Sequence, residues 1–466
     1  MAEVKVNISE NEQTPTPRNF FGVRHFQSVL LFFTLLVAFA IRTTPSVAII
    51  SMTEKNPPDP SIPTYPEWDD TDIILSSFFW GYILTQLGAG QLSEYFGPKW
   101  FLVGTMTIGS LFHIVIPPMA ATFGSVGVMI CRMIQGLTQG FLYPCISNLL
   151  SRWTPLFERS RISNFVYGAA NVGIAISMPL TGAICGSKSG WPLSFYVCGS
   201  IGIAWAIIFA IFAENSPSQH KRISPEEREY IESSTSITET KKKIPTPWLS
   251  ILRSVPVWAV FVAGIAQCWG GFTLLTEIPS YMDSIMHFDI NSNSQLSALP
   301  YVAMFLTGLV VSPLFDTLVA NNTISITVAR KISNTLASVL PAAALTYLAF
   351  LEDFEPNLVN ALLIIAVGTA AFQQSGYMLN TIDLTPNHAG TLFGLINGIN
   401  NIFSLLAPLT VGLLGSDKSD PILWRKVFLL SAGIYIACGL FYVIFTSAEV
   451  QPWNDLEKEQ EKTEKK

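Results

Sequence analysis

Two arginines lie inside stretches that are otherwise apolar. Arg42 sits in LLFFTLLVAFAIRTTPSVAII and Arg132 in GVMICRMIQGLTQGFLYP. A guanidinium in hydrocarbon costs about 3 kcal/mol or more unless it faces a protein interior or a wet cavity. Two of them on separate spans point to a shared cavity that receives an anion, which is the chemistry of a transporter or channel rather than of a membrane anchor. Gln135 and Gln139 follow Arg132 at i+3 and i+7, so the three residues line one helical stripe. Buried glutamines in a membrane need partners, so this stripe faces other helices or the cavity.

Further polar residues fall inside apolar runs: Tyr82, Asn171, Gln267, Gln373, Gln374, Asn380, Asn397, Asn400 and Asn401. Such a residue is more often a helix–helix bond than a ligand. Tyr82, Asn171, Gln267 and Asn397 are retained as candidate substrate contacts. Asn380 and Asp383 are read as structural, His113 as a packing residue, and Glu277 as a solvated rim acid rather than a cation sensor.

The surrounding chain must hold these side chains in a bilayer. It has 466 residues, 50% hydrophobic and 13% charged, with a mean hydropathy of +0.41. Soluble domains carry about 25% charged residues. A span needs about 20 mostly apolar residues. Twelve stretches qualify: 27–50, 72–92, 100–119, 122–148, 162–185, 192–213, 253–280, 294–316, 329–350, 356–379, 390–414 and 422–446. The expected fold is therefore all-α, a polytopic membrane protein of twelve transmembrane helices. Arg42 lies roughly 22 Å into the first span, and Arg132 about 7 to 10 residues into the fourth, which runs the other way. Both reach a similar depth, somewhat beyond the midplane.

The bases settle the expected orientation. Arg18, Arg24, Lys99, Arg152, Arg159, Arg161, Lys221, Arg222, Arg228, Lys241–Lys243, Arg330 and Lys331 fall on one side, read as cytosolic. The other side carries Glu54, Asp59, Glu67, Asp69, Asp70, Glu352, Asp353 and Glu355, with Arg425 and Lys426 as exceptions. Both termini are expected inside, so the sequons at Asn7 and Asn321–Asn322 go unused. Residues 1–20 and 455–466 read as disordered tails, and the first apolar run is a span rather than a cleavable signal. The polar break 214–252 divides the spans six and six, giving an N-terminal bundle (21–213), a cytosolic linker and a C-terminal bundle (253–446), followed by a tail (447–466). In the linker, Ser224-Pro225-Glu226-Glu227 starts a short helix at about 225–234, with Ser224 as N-cap and Glu227 closing a capping box. Pro144, Pro179, Pro279 and Pro300 are expected to bend their helices. No metal spacing, P-loop or basic nucleic-acid face is present, and the six cysteines form no CxxC pair and read as packing residues. An enzyme is therefore not expected, and no cofactor beyond a co-transported Na+ or H+.

The segment Gly90-Gln91-Leu92-Ser93-Glu94-Tyr95-Phe96-Gly97-Pro98-Lys99 resembles the 2–3 loop motif of the major facilitator superfamily, with Asp316 and Arg330-Lys331 as a degraded counterpart in the 8–9 loop. Gly90, Glu94, Gly97, Lys99, Asp316 and Arg330 are accordingly expected to latch one conformation. A motif that returns in each half supports two pseudo-symmetric six-helix halves. A finer resemblance runs through SSFFWGYILTQ (76–86), SRWTPLFERSR (151–161), GWPLSFY (190–196), the HKRISPEEREYI run, SALPY (297–301), LNTIDLTPNHAGTLFG (379–394) and AEVQPW (448–453). It is to the anion–cation symporter family that contains sialin, the vesicular glutamate transporters and the sodium–phosphate transporters. The resemblance implies rocking of the two halves around a central site and anion recognition by the first-span arginine, with spans 5 and 7 also lining the cavity.

The chain departs from parts of that pattern. Sialin-like and vesicular members carry glutamates where this chain has Gln135 and Gln139. Histidines of other members are replaced by Ser147 and Leu75, and a span-7 arginine by Gln267. Glutamine cannot exchange a proton in the working range. The site therefore looks like that of the sodium–phosphate subgroup. The expected function is secondary transport of inorganic phosphate or a small organic anion, coupled to sodium or membrane potential. A proton-coupled sialate-like transporter and an uncoupled channel or uniporter are the alternatives. A binding-only receptor is disfavoured because no sizeable extracellular domain is present. The expected setting is a monomer in the plasma membrane rather than an intracellular vesicle.

Overall fold

The computed structural model describes residues 21–55, 61–155, 159–235, 247–286, 290–351, 355–385, 389–415 and 417–454. The two tails, Lys241–Lys243 and Glu352–Asp353 lie outside that set. So do the side chains of Arg159, Arg161, Glu94 and Asp316.

The described chain is helical. In order come α1 (Val23–Met52), α2 (Thr71–Phe96), α3 (Pro98–Gln139), α4 (Leu142–Trp153), α5 (Arg159–Cys185), α6 (Gly190–Phe212), α7 (Pro225–Thr235) and α8 (Trp248–Arg253). They are followed by α9 (Val255–Ser284), α10 (Ile290–Ala320), α11 (Ile326–Ala349), α12 (Pro356–Gly368), α13 (Tyr377–Leu384), α14 (Ala389–Leu414) and α15 (Pro421–Phe445). Among the described residues, ten helical segments are long and apolar enough to cross a membrane. One of them, Pro98–Trp153, is 56 residues long. At 1.5 Å per residue it is far longer than a bilayer core of about 30 Å, so it supplies two crossings. With α2 added, the crossings number twelve.

The third and fourth crossings are joined by a corner rather than a loop. Gly124 takes φ +60° and ψ −147° there, a conformation that an L side chain rarely adopts. The adjacent Pro117 and Pro118 stay within the helix. The tenth crossing is also irregular. α12 ends at Gly368, the chain tightens into a 3₁₀ segment over Thr369–Gln374, and α13 resumes at Tyr377. An uninterrupted span over 356–379 is thus replaced by two short helices.

α1 packs on α5 and α6, and α3 on α2 and α6. In the second group, α9 packs on α14 and α15, α11 on α15, and α10 on α12. The two groups meet where α2 touches α14, α5 touches α10 and α1 touches α9. Close approach within the first group needs small residues. A Cβ at Gly136 would overlap the Phe78 carbonyl, and one at Gly173 the Leu36 carbonyl.

One face holds both described chain ends and the linker; it is called the terminal face here, and the opposite one the distal face. On the terminal face, Ser224 accepts from the Glu227 N–H at 3.2 Å, as an N-cap does. Glu227 does not close the capping box. Its carboxylate instead accepts from the backbone N–H groups of Val23 (3.0 Å) and Arg24 (3.2 Å) and from the Arg24 guanidinium (3.0 Å). The acid is drawn away because the first turn of α1 offers unpaired donors and a buried cation. Arg24 is 4% exposed.

Candidate functional site

α1 brings Arg42 to about 15 Å from its distal end, and the Gly124 corner brings Arg132 to about 12 Å from the distal turn. The two meet there. Arg132 donates from Nη1 to the Arg42 carbonyl at 3.3 Å and from Nη2 to the Leu75 carbonyl at 3.4 Å. Both guanidiniums lie against the same ring, that of Phe78, with centroid distances of 4.5 Å for Arg42 and 5.1 Å for Arg132. Phe39 (4.6 Å), Tyr82 (4.9 Å) and Phe272 of α9 (6.0 Å) complete an aromatic box around Arg42. Arg42 is 4% and Arg132 2% exposed.

Gln139 fixes the first arginine. Its Oε1 accepts from Arg42 Nε at 3.3 Å and its Nε2 donates to the Ala38 carbonyl at 3.2 Å. Arg42, Arg132, Gln139 and Tyr82 therefore form one cluster. Gln135 leaves the stripe: it donates to the Gly109 carbonyl at 3.4 Å and meets His113 Nδ1 at 3.1 Å. A helix turn separates Gln135 from Gln139, about 6 Å along the axis, so they meet different neighbours. His113 is fully buried and belongs to this polar chain rather than to plain packing.

The other candidates do not reach the arginines through any described contact. Asn171 is buried on α5. Gln267 donates to the Ala337 carbonyl at 3.2 Å, a bond from α9 to α11. The Asn397 carbonyl accepts from Asn401 at 2.7 Å, and Asn401 bridges to Gln86 of α2 at 3.2 Å. Glu277 is not a solvated rim acid: it is 2% exposed and receives Lys418 Nζ at 3.4 Å. Asn380 bonds Tyr442 (3.1 Å) and Thr446 (2.7 Å), a structural arrangement.

Of the motif residues, Gly97 takes φ +86° between α2 and α3, and Gly90 lies in α2. Lys99 pairs with Glu214 at 3.5 Å, and its N–H donates to Asn215 at 3.0 Å. Arg330 pairs with Asp383 at 2.7 Å and donates to the Ser375 carbonyl at 3.0 Å, pinning the broken tenth crossing.

The electrostatics of the central cluster are one-sided. Among the described residues, no carboxylate lies within ion-pair distance of Arg42 or Arg132. Arg42 Nη2 and Arg132 Nε are buried donors without a hydrogen-bond partner among the described residues. Facing aromatic rings return about 0.5–2 kcal/mol each to a cation, but they do not neutralise its charge or accept its N–H groups. The aromatic residues Phe39, Phe78 and Phe272 are the part of this site that sequence reasoning missed. The run of aromatics in SSFFWGY of span 2 was the available signal for Phe78.

Residues 31–408 match the family described as Major Facilitator Superfamily. The chain belongs to that superfamily. A Drosophila melanogaster protein described as "Putative inorganic phosphate cotransporter" is 36% identical over 96% of this chain and 89% of its own length. Human sialin is 32% identical over 93% and 91% respectively. These relatives place the transporter in the anion–cation symporter family. Its fold is also that of a bacterial homologue of the human lysosomal transporter Spinster, solved inward-facing and occupied. The TM-score is 0.68 at 12% identity, covering 92% of this chain and 99% of that one. The transporter is thus a multi-pass membrane protein of a family that moves small anions across bilayers.

Proposed function

We propose that this transporter carries inorganic phosphate or a small organic anion by alternating access, with Arg42 as the principal anion ligand and Arg132 as its companion. The observation that carries the reading is the pair of buried guanidiniums with, among the described residues, no carboxylate partner and two unpartnered N–H donors. Two guanidiniums in low dielectric repel, and an oxyanion placed between them turns that repulsion into bidentate, charge-assisted bonding. Gln139 holds the Arg42 fork in place, and Tyr82 and Phe78 close over it. Phe272, from the opposite half, reaches the same cation, so occupation of the site bears on how the halves sit together.

Gln135 and Gln139 offer no proton at this site. We assign the driving force to sodium or membrane potential, and the terminal face to the cytosol because its loops hold most of the bases. The protein acts as a monomer in the plasma membrane. The description of the fly relative agrees with a phosphate cargo.

The test is uptake into proteoliposomes of labelled phosphate and a panel of organic anions, with sodium, proton and voltage gradients imposed in turn. Phosphate accumulation driven by sodium or voltage is the expected result. Arg42→Ala should abolish it in protein that reconstitutes normally. Undiminished uptake by that variant would remove Arg42 from the site, and accumulation driven only by a proton gradient would overturn the coupling.

A further inference from the structure

On the distal face, three charged side chains meet across the seam between the halves. Lys418 Nζ contacts Asp72 Oδ1 of α2 at 2.7 Å and Glu277 Oε2 of α9 at 3.4 Å. The lysine is fixed to the C-terminal half, since the Trp424 indole N–H donates to the Lys418 carbonyl at 2.8 Å. Asp72 is pressed into the same half: a Cβ at Gly412 of α14 would stand 2.8 Å from its Oδ2. Burial pulls the Lys418 ammonium down, but Glu277 and Asp72 outweigh it and hold the group above its ordinary value. The lysine is therefore a fixed positive charge between two acids.

The cluster has one base for two carboxylates and is mostly buried, the side chains of Lys418 and Asp72 being 22% and 13% exposed. Glu277 is 2% exposed, and its Oε1 is buried with no hydrogen-bond partner among the described residues. A carboxylate as buried as Glu277, in a cluster with an excess of negative charge, is costly unless something neutralises it. Placement adds to this. Asp72 stands six residues before Phe78 on α2, and Glu277 five residues after Phe272 on α9. The two helices that press aromatic rings on Arg42 thus carry the two acids about 8 Å further out.

We propose that Asp72, Lys418 and Glu277 are the latch of the distal gate, and that closing it takes up one monovalent cation, a proton or a sodium ion, at Glu277. Asp72 supplies the tie between halves. Glu277 supplies the charge imbalance that makes closure cation-dependent. When the halves part, Asp72 leaves with α2, water reaches Glu277, and the cation is free to go. The other ionisable groups beside this seam are Asp417 and Asp420, which flank Lys418 and accept from the Ser419 and Ile422 N–H groups, and Glu54, after α1, and Asp283 on α9, whose charges act on one another. They are the competing source of any pH response.

The inference does not depend on which anion is carried, and its test reads the gate directly. Spin labels on Ser187→Cys and Glu355→Cys, exposed positions on the distal loops of the two halves, report the open and closed populations in full-length reconstituted protein. One arm varies pH without sodium, and the other varies sodium at fixed pH. Uptake of a single proton on closure changes the closed-to-open ratio by up to about tenfold per pH unit. A sodium site gives the same dependence on sodium concentration instead. Glu277→Gln should raise the closed population and flatten the response to whichever cation acts. Asp72→Asn should lower the closed population. Opposite shifts are the signature, because a mere loss of negative charge would move both variants the same way.

Shifts in one direction, or a cation response that survives Glu277→Gln and vanishes in Glu54→Gln, would overturn the proposal. Arg42→Ala should keep the cation-dependent closure while losing uptake. A transporter in which the latch works and Arg42 proves dispensable would refute the anion site alone.

Discussion

Four of the described arginines are buried, and they fall into two kinds. Arg24 and Arg330, at the terminal face, are 4% and 9% exposed, and each holds a carboxylate: Glu227 at 3.0 Å and Asp383 at 2.7 Å. Arg42 and Arg132, deep in the distal half of the bundle, are as well buried and hold none among the described residues. Burial alone is therefore no sign of a ligand site. The paired arginines tie chain segments together within one half, α1 to the linker helix and α11 to the broken tenth crossing. The unpaired ones are held only by carbonyls, one glutamine and aromatic faces, which leaves their charge available to a visitor.

The contrast can be broken most decisively at Arg42. Replacing it with methionine should lower uptake by about 100-fold or more, the kinetic equivalent of losing ~2.7 kcal/mol of charge-assisted binding. The same variant should unfold at an equal or higher temperature, because an uncompensated buried charge has been removed. A lower melting temperature would mean that Arg42 is structural, like its counterparts at the terminal face.

Glu227→Ala should do the reverse. It takes the carboxylate from a buried guanidinium and the acceptor from two backbone donors at the start of α1, a loss of about 3 kcal/mol, visible as a clear drop in thermal stability. Uptake per folded molecule should persist. Gln139→Glu then tests whether the difference lies in the missing acid itself. It places a carboxylate where Gln139 Oε1 now stands, 3.3 Å from Arg42 Nε. Uptake should become pH-dependent, retained in acid where the new group is protonated and falling as pH rises and it ionises. A flat profile would remove the argument drawn from the glutamines.

The smallest effect belongs to Glu54. Burial first, and the nearby Asp283 second, raise its pKa above the ordinary carboxylate value. Protonation is thus favoured in the folded arrangement, and that contribution is lost as pH rises through the raised pKa. Glu54→Gln should match the wild type in acid and be slightly more stable near neutrality. Equal melting temperatures at every pH would show that the shift has no thermodynamic weight.

The twelve crossings were legible because apolar runs of span length, separated by charged turns, have few alternative readings in a chain this hydrophobic. Arg42, Arg132 and Gln139 were legible because charge and amide groups in hydrocarbon demand a reason. What escaped was set by partners remote in sequence. Glu227 reads as a local cap, and only folding puts it beside Val23 and Arg24, some 200 residues earlier. Glu277 reads as a rim acid until Lys418, 141 residues away, reaches it. Gln135 shares a helical face with Gln139, yet one turn away it meets His113, 22 residues earlier in the chain. The 3₁₀ segment at Thr369–Gln374 has no Pro and only flanking glycines to announce it.

The corner at Gly124 has a mechanical meaning. A charged side chain in a membrane usually finds relief by stretching toward the headgroups, or by letting its helix slip along its own axis. Arg132 is only eight residues from a hinge with no slack, and the helix on the other side of that hinge is anchored at its far end through Lys99. The guanidinium is therefore leashed at its depth by covalent connectivity. A few residues of loop inserted at Gly124 would let it drift toward water, with no change to any residue that touches it.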